Sequence, residues 1–225
     1  MLSIIIPTLD EEGAIAECLA RLQAMRAAGA ELIVVDGGSR DATREIAAPL
    51  ADRVVEAPRG RAAQMNAGAR ASRGDSLLFL HADTVLPAGA GEAIALALQS
   101  HAWGRFDVTI AGRAPLLRVV ATLMNARSRA TGIATGDQAI FVKRPAFEAA
   151  GGFPAIPLME DVALSKALKR LGPPACLRTR VVTSGRRWEK HGTLRTIVLM
   201  WRLRLAYALG ADPERLARSY DKRSA

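Results

Sequence analysis

Cysteine is scarce in this chain of 225 residues: there are two, Cys18 and Cys176, far apart and in no Cys-x-x-Cys pair. That excludes a disulfide framework and a cysteine-rich zinc site, and a reducing compartment is expected. Aromatic residues are only 4% of the chain, and no RNA- or DNA-binding motif accompanies the charge, so nucleic acid is not the expected partner. No run of about 18 uncharged apolar residues occurs, because Arg195, Arg202 and Arg204 interrupt the best stretch; no membrane-spanning helix is expected. The opening Met1-Leu2-Ser3-Ile4-Ile5-Ile6-Pro7 lacks the pattern of a secretory signal and reads as a strand. Also missing are a Gly-x-Gly-x-x-Gly after the first strand, a Walker-type Gly-Lys-Ser/Thr and a Gly-Gly-x-Gly-x-Arg loop. Their absence counts against dinucleotide dehydrogenases, P-loop proteins and nucleotidyltransferases in turn.

Positive charge is in excess. Lys and Arg number 31 against 22 Asp and Glu, a formal net charge of +9, and half of the residues are hydrophobic. The balance is that of a folded globular chain. Arginine carries most of the excess, which suits recognition of phosphate, whether on a small molecule or on an anionic lipid surface. Short β-branched runs at 3–6, 32–35, 53–56 and 76–80 alternate with alanine-rich helical stretches at 15–27, 42–50, 62–72 and 88–99. This rhythm predicts an α/β fold with a mostly parallel sheet flanked by helices. Asp10 and Asp41 are expected to cap the first two helices, with Gly29 and Gly74 closing the first and third.

After residue 100 the rhythm changes. A strand is expected over 103–110, a helix over 115–129, strands at 139–142 and 181–183, and a helix over 161–171. A basic segment, 186–191, leads into a long helix over 193–209 and a last short one from Pro213. The expected organisation is one domain over 1–190 with a C-terminal helical appendage, 191–225, packed on it.

In an open parallel sheet, ligands bind beyond the carboxyl ends of the strands. There this sequence is polar and acidic: Thr8, Asp10, Glu11 and Glu12 after the first strand, Asp36 to Asp41 after the second, His81 and Asp83 after the fourth. Any one of these carboxylates reads equally as a helix cap. Their convergence on one sheet edge points to a site.

Several segments in order resemble the inverting glycosyltransferases of family 2, with the GT-A nucleotide-sugar-binding fold. Pro7-Thr8-Leu9-Asp10-Glu11-Glu12 is similar to the family's opening Pro-Thr-x-Asn-Glu. Val34-Val35-Asp36-Gly37-Gly38-Ser39-Arg40-Asp41-Ala42-Thr43 is similar to its Val-Asp-Asp-Gly-Ser-x-Asp-x-Thr, and Leu80-His81-Ala82-Asp83 to its strand ending in Asp-x-Asp. Glu160-Asp161 resembles its later Glu-Asp pair, and Arg187-Trp188 the end of its Gln-x-x-Arg-Trp. Gly60-Arg61-Ala62-Ala63-Gln64-Met65-Asn66-Ala67-Gly68, with Leu80 to Thr84, looks most like a bacterial subgroup of radical-SAM/selenodomain-associated transferases. His81 departs from the first aspartate of Asp-x-Asp, and Ser184 stands at the Gln position, which argues for single-sugar transfer over polymer synthesis.

The resemblance implies roles. Thr8, Glu11 and Asp36 would hold base and ribose, with Arg61 near the nucleotide; UDP is expected before GDP. Asp83, helped by His81, would anchor Mn2+ or Mg2+, although the departure at His81 leaves metal use open. His81 also leaves open a fold kept for nucleotide-sugar binding without catalysis. Asp161 would take the proton from the acceptor hydroxyl, with Glu160 orienting the acceptor or its loop; a plain helix cap is the alternative for Asp161. Asp137 would touch donor sugar or acceptor, or serve a turn. Arg186, Arg187 and Trp188 would meet the diphosphate or a sugar ring, or form a surface cluster, and His191 would reach the metal only if its loop closes. The helix at 193–209, with Trp201 and Tyr207 among arginines, would contact anionic lipid at the inner membrane face of a cytoplasmic protein, or pack on its own domain or in a homodimer. The acceptor is not specified.

Overall fold

The computed structural model describes residues 1–221, apart from the side chains of Arg187, His191 and Asp221. The expected β-branched runs form a parallel set, β1 (Leu2–Thr8), β2 (Glu31–Asp36), β3 (Arg53–Glu56) and β4 (Ser76–Phe79), in the spatial order β3-β2-β1-β4. Crossovers run through α1 (Glu12–Ala27), α2 (Thr43–Ala47) and α3 (Arg61–Ala71). Ile4, Ile6, Leu32 and Val34 pack on one side with Ile15, Leu19 and Leu22 of α1; Ile5, Ile33 and Val35 pack on the other with Met65 and Ala69 of α3. Both faces are buried, which is why these strands read as continuous apolar runs rather than as alternation. At Gly68 α3 comes closest to the sheet: a Cβ there would press into Ile5 and Val35.

Beyond β4 the sheet is mixed. β7 (Phe141–Lys143) runs antiparallel to β4 and to β6 (Trp103–Ala111), β6 runs parallel to β8 (Ala175–Ser184), and the two-residue β5 (Thr84–Val85) ends the sheet antiparallel to β8. The complete order is β3-β2-β1-β4-β7-β6-β8-β5. α4 (Ala90–Ser100), α5 (Leu116–Thr131), α6 (Arg144–Ala149) and α7 (Glu160–Lys169) complete the body. The basic segment forms a short helix, α8 (Arg186–His191), followed by α9 (Thr193–Ala208) and α10 (Pro213–Asp221). Leu199, Leu203 and Leu216 of these last two helices bury themselves against Leu158, Met159 and Val162, seating the C-terminal helices beside the start of α7.

Two sequence expectations are corrected. Asp10 does not cap α1; it takes a left-handed φ of 53° and its Oδ1 accepts the Arg40 N–H at 2.8 Å. Gly74 does not close α3, which ends at Ala71; a Cβ there would lie 2.5 Å from Ser3 Oγ, so its smallness serves close approach to β1. Gly29, at φ 94°, does follow the end of α1 as expected.

Candidate active site

The two loops at the head of β1 and β2 are laced together by their polar residues. Asp10 N–H donates to Ser39 Oγ at 2.9 Å, Glu11 N–H to Thr43 Oγ1 at 2.8 Å and Glu12 N–H to Asp41 Oδ2 at 3.0 Å. Ala42 N–H returns to Glu12 Oε2 at 3.1 Å. Asp36 is fully buried and spent on its own loop: Oδ2 accepts the Gly38 and Ser39 N–H groups at 3.0 Å, and the Ser39 hydroxyl donates to Oδ1. Gln64 of α3 donates to the carbonyls of Thr8 and Val35 at 2.7 and 2.9 Å, tying the strand ends to the helix. These bonds fix a rigid floor without occupying the space above it.

That space is a cleft of about 550 Å3, the size of a cavity for a small organic ligand. Thr8, Glu11, Arg61, His81, Asp83, Asp137, Glu160, Asp161 and Trp188 all line it. Asp36, expected at base or ribose, is not among the lining residues and stands behind them, bonded to its own loop. The Arg187 side chain, and the expected reach of His191 to a metal, lie outside the described residues. Among the described residues three non-glycine residues hold left-handed φ values, Asp10 (53°), Ala139 (47°) and Met159 (69°). Each belongs to a loop of the cleft, where strained backbone tends to gather.

The second half of the chain supplies one wall. Asp161 is the second residue of α7, and its Oδ2 accepts the Gly136 N–H at 2.9 Å, joining α7 to the turn that carries Asp137. Desolvation in the cleft pushes the Asp137 carboxyl up, but the neighbouring His81, with Arg61 and Arg204 behind, outweighs it and holds that carboxyl below its usual range. His81 Nδ1 stands 3.6 Å from Asp137 Oδ1, and its ring lies so close to Gly136 that a Cβ there would be 2.7 Å away. Glu160 is 4% exposed; burial and the adjacent Asp161 push it up to about 7, against the pull of Arg61 with Nη1 at 4.0 Å.

The geometry is matched by kinship. Residues 3–116, just over half of the chain, fit Glycosyl transferase family 2. The chain belongs to this family. Over 93 residues it is 40% identical to PGL/p-HBAD biosynthesis glycosyltransferases of Mycobacterium bovis and Mycobacterium tuberculosis, a stretch covering 38% of this chain and 36% of each relative. A mannosyltransferase from Pyrobaculum calidifontis, solved with GDP-Man and Mn2+, superposes with a TM-score of 0.66 at 22% identity, over 99% of this chain and 69% of that one. Glucosyl-3-phosphoglycerate synthase from Mycobacterium tuberculosis, solved with Mn2+, UDP and glucosyl-3-phosphoglycerate, gives 0.58 at 18% identity, over 81% and 70%. At these identities the likeness is one of fold, that of the GT-A transferases.

In this family 2 chain the residues that could face a metal are few. Among the described residues no group of three His, Cys, Asp or Glu side chains is arranged to hold an ion. Asp83, 30% exposed at the cleft wall, is free to share one: Mg2+ is commonly held by one or two carboxylates together with substrate phosphates. The donor set therefore fits an ion bridged to a bound diphosphate and does not fit a closed protein cage. Arg186 now faces that carboxylate, its Nη2 at 3.8 Å from Asp83 Oδ2 and 3.5 Å from Glu11 Oε2. Burial raises Glu11, with Arg186 opposing and Asp83 adding to the rise.

Further lining residues were given no role by the sequence, Gln64 among them although it lies in the Gly60 to Gly68 segment. Arg59, Gln64, Thr183 and, from the C-terminal helices, Thr196, Met200, Arg204 and Tyr220 reach the cleft. Helical periodicity marked the apolar face of α9 but gave no sign that its other face closes the site.

Proposed function

We propose that the chain is an inverting transferase that moves one sugar from a nucleoside diphosphate sugar, UDP-linked before GDP-linked, to an acceptor hydroxyl. The observation that carries this reading is the Asp161 carboxylate, oriented by Gly136 N–H and facing into a cleft whose other wall presents Glu11 and Asp83. Thr8, Glu11 and Arg61 hold the nucleotide, and Trp188 offers its plane to a ring. A bound divalent ion, Mn2+ or Mg2+ at Asp83 with His81 beside it, would neutralise charge on the departing diphosphate. Asp161 accepts the proton from the acceptor oxygen as that oxygen forms its bond to the anomeric carbon. The bond to the diphosphate oxygen breaks on the opposite face, and its electron pair leaves with the nucleotide. Glu160, more basic than an ordinary carboxyl, orients the acceptor.

The test is Asp161→Asn, which keeps size and the ability to accept from Gly136 N–H while removing basicity. Transfer should fall by roughly 10²- to 10⁴-fold, the usual share of general base catalysis, with UDP affinity unchanged. Near-normal turnover would leave Asp161 as a helix cap; lost UDP binding would move it to the donor site.

Among the described residues no helix is long and apolar enough to cross a membrane. Yet α9 exposes Leu194, Val198, Trp201 and Leu205 along one stripe, with Arg195 and Arg202 beside it, and α5 adds Val119 and Leu123. This favours peripheral attachment to an anionic bilayer, with the acceptor presented near its surface. Tyr207 takes no part in the stripe: its ring lies under Lys166, 5.0 Å from Nζ.

A further inference from the structure

Among the described residues, two arginines near the second-half wall of the cleft make no ion pair: Asp161 acts on Arg127 and Asp137 on Arg204 only at a distance. Arg127 lies on α5 and Arg204 on α9, helices that pack together, and Arg204 lines the cleft. Arg127 Nε and Nη2 and Arg204 Nε are buried without a hydrogen-bond partner, and among the described residues neither side chain makes an ion pair. Buried guanidinium N–H groups without acceptors are costly, and native structures retain few of them without a ligand or ion to satisfy them. Nearby carboxylates do not relieve the pair. Asp107 is shared by Arg105 and by Arg129, whose Nη2 is 2.9 Å away, and Asp161 already accepts two backbone N–H groups. Burial and the like charge of Arg204 bring Arg127 down to about 10, with Asp161 pulling the other way.

We infer that Arg204, backed by Arg127, forms an anion subsite in the cleft, built for a phosphate group carried by the acceptor. The planar fork of arginine and its charge-assisted N–H bonds suit phosphate oxygens. The donor's diphosphate is assigned above to Asp83 and a metal ion, which leaves the pair for a second anion. The identification with an acceptor rests on the transferase reading above; the anion subsite does not.

Calorimetry with inorganic phosphate on the intact protein, on Arg127→Gln, on Arg204→Gln and on the double variant tests this, with UDP and Mn2+ titrated into the same samples. The intact protein should bind phosphate, each single variant should lose at least about tenfold in affinity, and UDP affinity should stay unchanged. The phosphate-free variants should melt at or above the temperature of the intact protein, since a buried unpartnered charge is gone; this separates lost binding from lost folding. Undiminished phosphate binding in the double variant would overturn the subsite, as would UDP affinity falling in step with phosphate. Phosphatidylcholine vesicles with and without phosphatidylglycerol distinguish the source. Competition with phosphate that disappears in the variants identifies a lipid headgroup, and no competition identifies a soluble phosphorylated acceptor. Failure of the intact protein to bind UDP while binding phosphate would overturn the transferase reading and leave the anion subsite standing.

Discussion

Replacing Glu160 by glutamine should change how stability depends on pH more than it changes stability itself. The carboxyl is 4% exposed, and burial together with Asp161 raises it from an ordinary 4.5 to about 7. Between those values the folded chain holds a proton that the unfolded chain has released, so stability falls as pH rises through this window and the loss is complete above about 7. At about 1.4 kcal/mol per tenfold change in proton affinity the full loss is about 3 kcal/mol. Arg61, 52% exposed, opposes the rise only through a water-screened attraction, so screening does not reduce this loss and the working value stays at about 3 kcal/mol.

Glutamine is uncharged throughout. Near pH 5 it should match the protonated glutamate, and near pH 8 it should be the more stable form by that about 3 kcal/mol. Urea denaturation at closely spaced pH values, read by circular dichroism, measures both curves. Parallel curves from pH 5 to 8 would mean that Glu160 titrates like an exposed carboxyl, and would remove the reason for assigning it any role beyond helix packing.

Two further outcomes are expected. Arg186→Gln removes the cation 3.8 Å from Asp83, so nucleotide-free protein should bind Mn2+ up to about fivefold more tightly by electron paramagnetic resonance, the limit for a half-screened pair; unchanged affinity would place the ion away from Asp83. The protein should float with phosphatidylglycerol vesicles at low salt, and Trp201→Ser with Leu205→Ser should release it; intact protein staying in the soluble fraction would leave the α9 stripe as a contact between copies of the chain.

The parallel half of the fold was legible because its physics is local. Strands buried on both faces must be apolar throughout, and the polar residues that follow them must stand at one sheet edge, so Thr8, Glu11, His81 and Asp83 were placed before any coordinates. The mixed half was less so. β8 was expected only at 181–183, because Arg178 and Arg180 break its apolar pattern; the strand starts at Ala175 and shifts register against β6 at Phe106 and Asp107. α6 escaped notice for want of length, although Pro145 in its first turn is a start signal. The surroundings of Asp36 could not be read for a different reason: whether a buried carboxylate faces outward or its own loop depends on the turn, and here Gly38 and Ser39 fold back onto it.

The arginine pair marks where sequence reading stops. Arg127 and Arg204 come from helices far apart in the chain, each sits in a periodic stretch that reads as an ordinary amphipathic surface, and only the packing of α5 on α9 makes neighbours of them. The same packing divides the cleft. Residues 3–116, the part that fits the family, supply the floor and the carboxylates Glu11 and Asp83. Asp137, Glu160, Asp161 and Arg204 all come later, from segments built around the C-terminal helices. A donor common to related chains would be held by the first set, while the second set, with the unpartnered guanidinium groups of Arg204 and its neighbour Arg127, would decide which acceptor enters. Under that division, substitutions after residue 116 should alter acceptor affinity and turnover before they alter nucleotide affinity, and the unpartnered guanidinium groups are the first place to look for the chemistry of the acceptor.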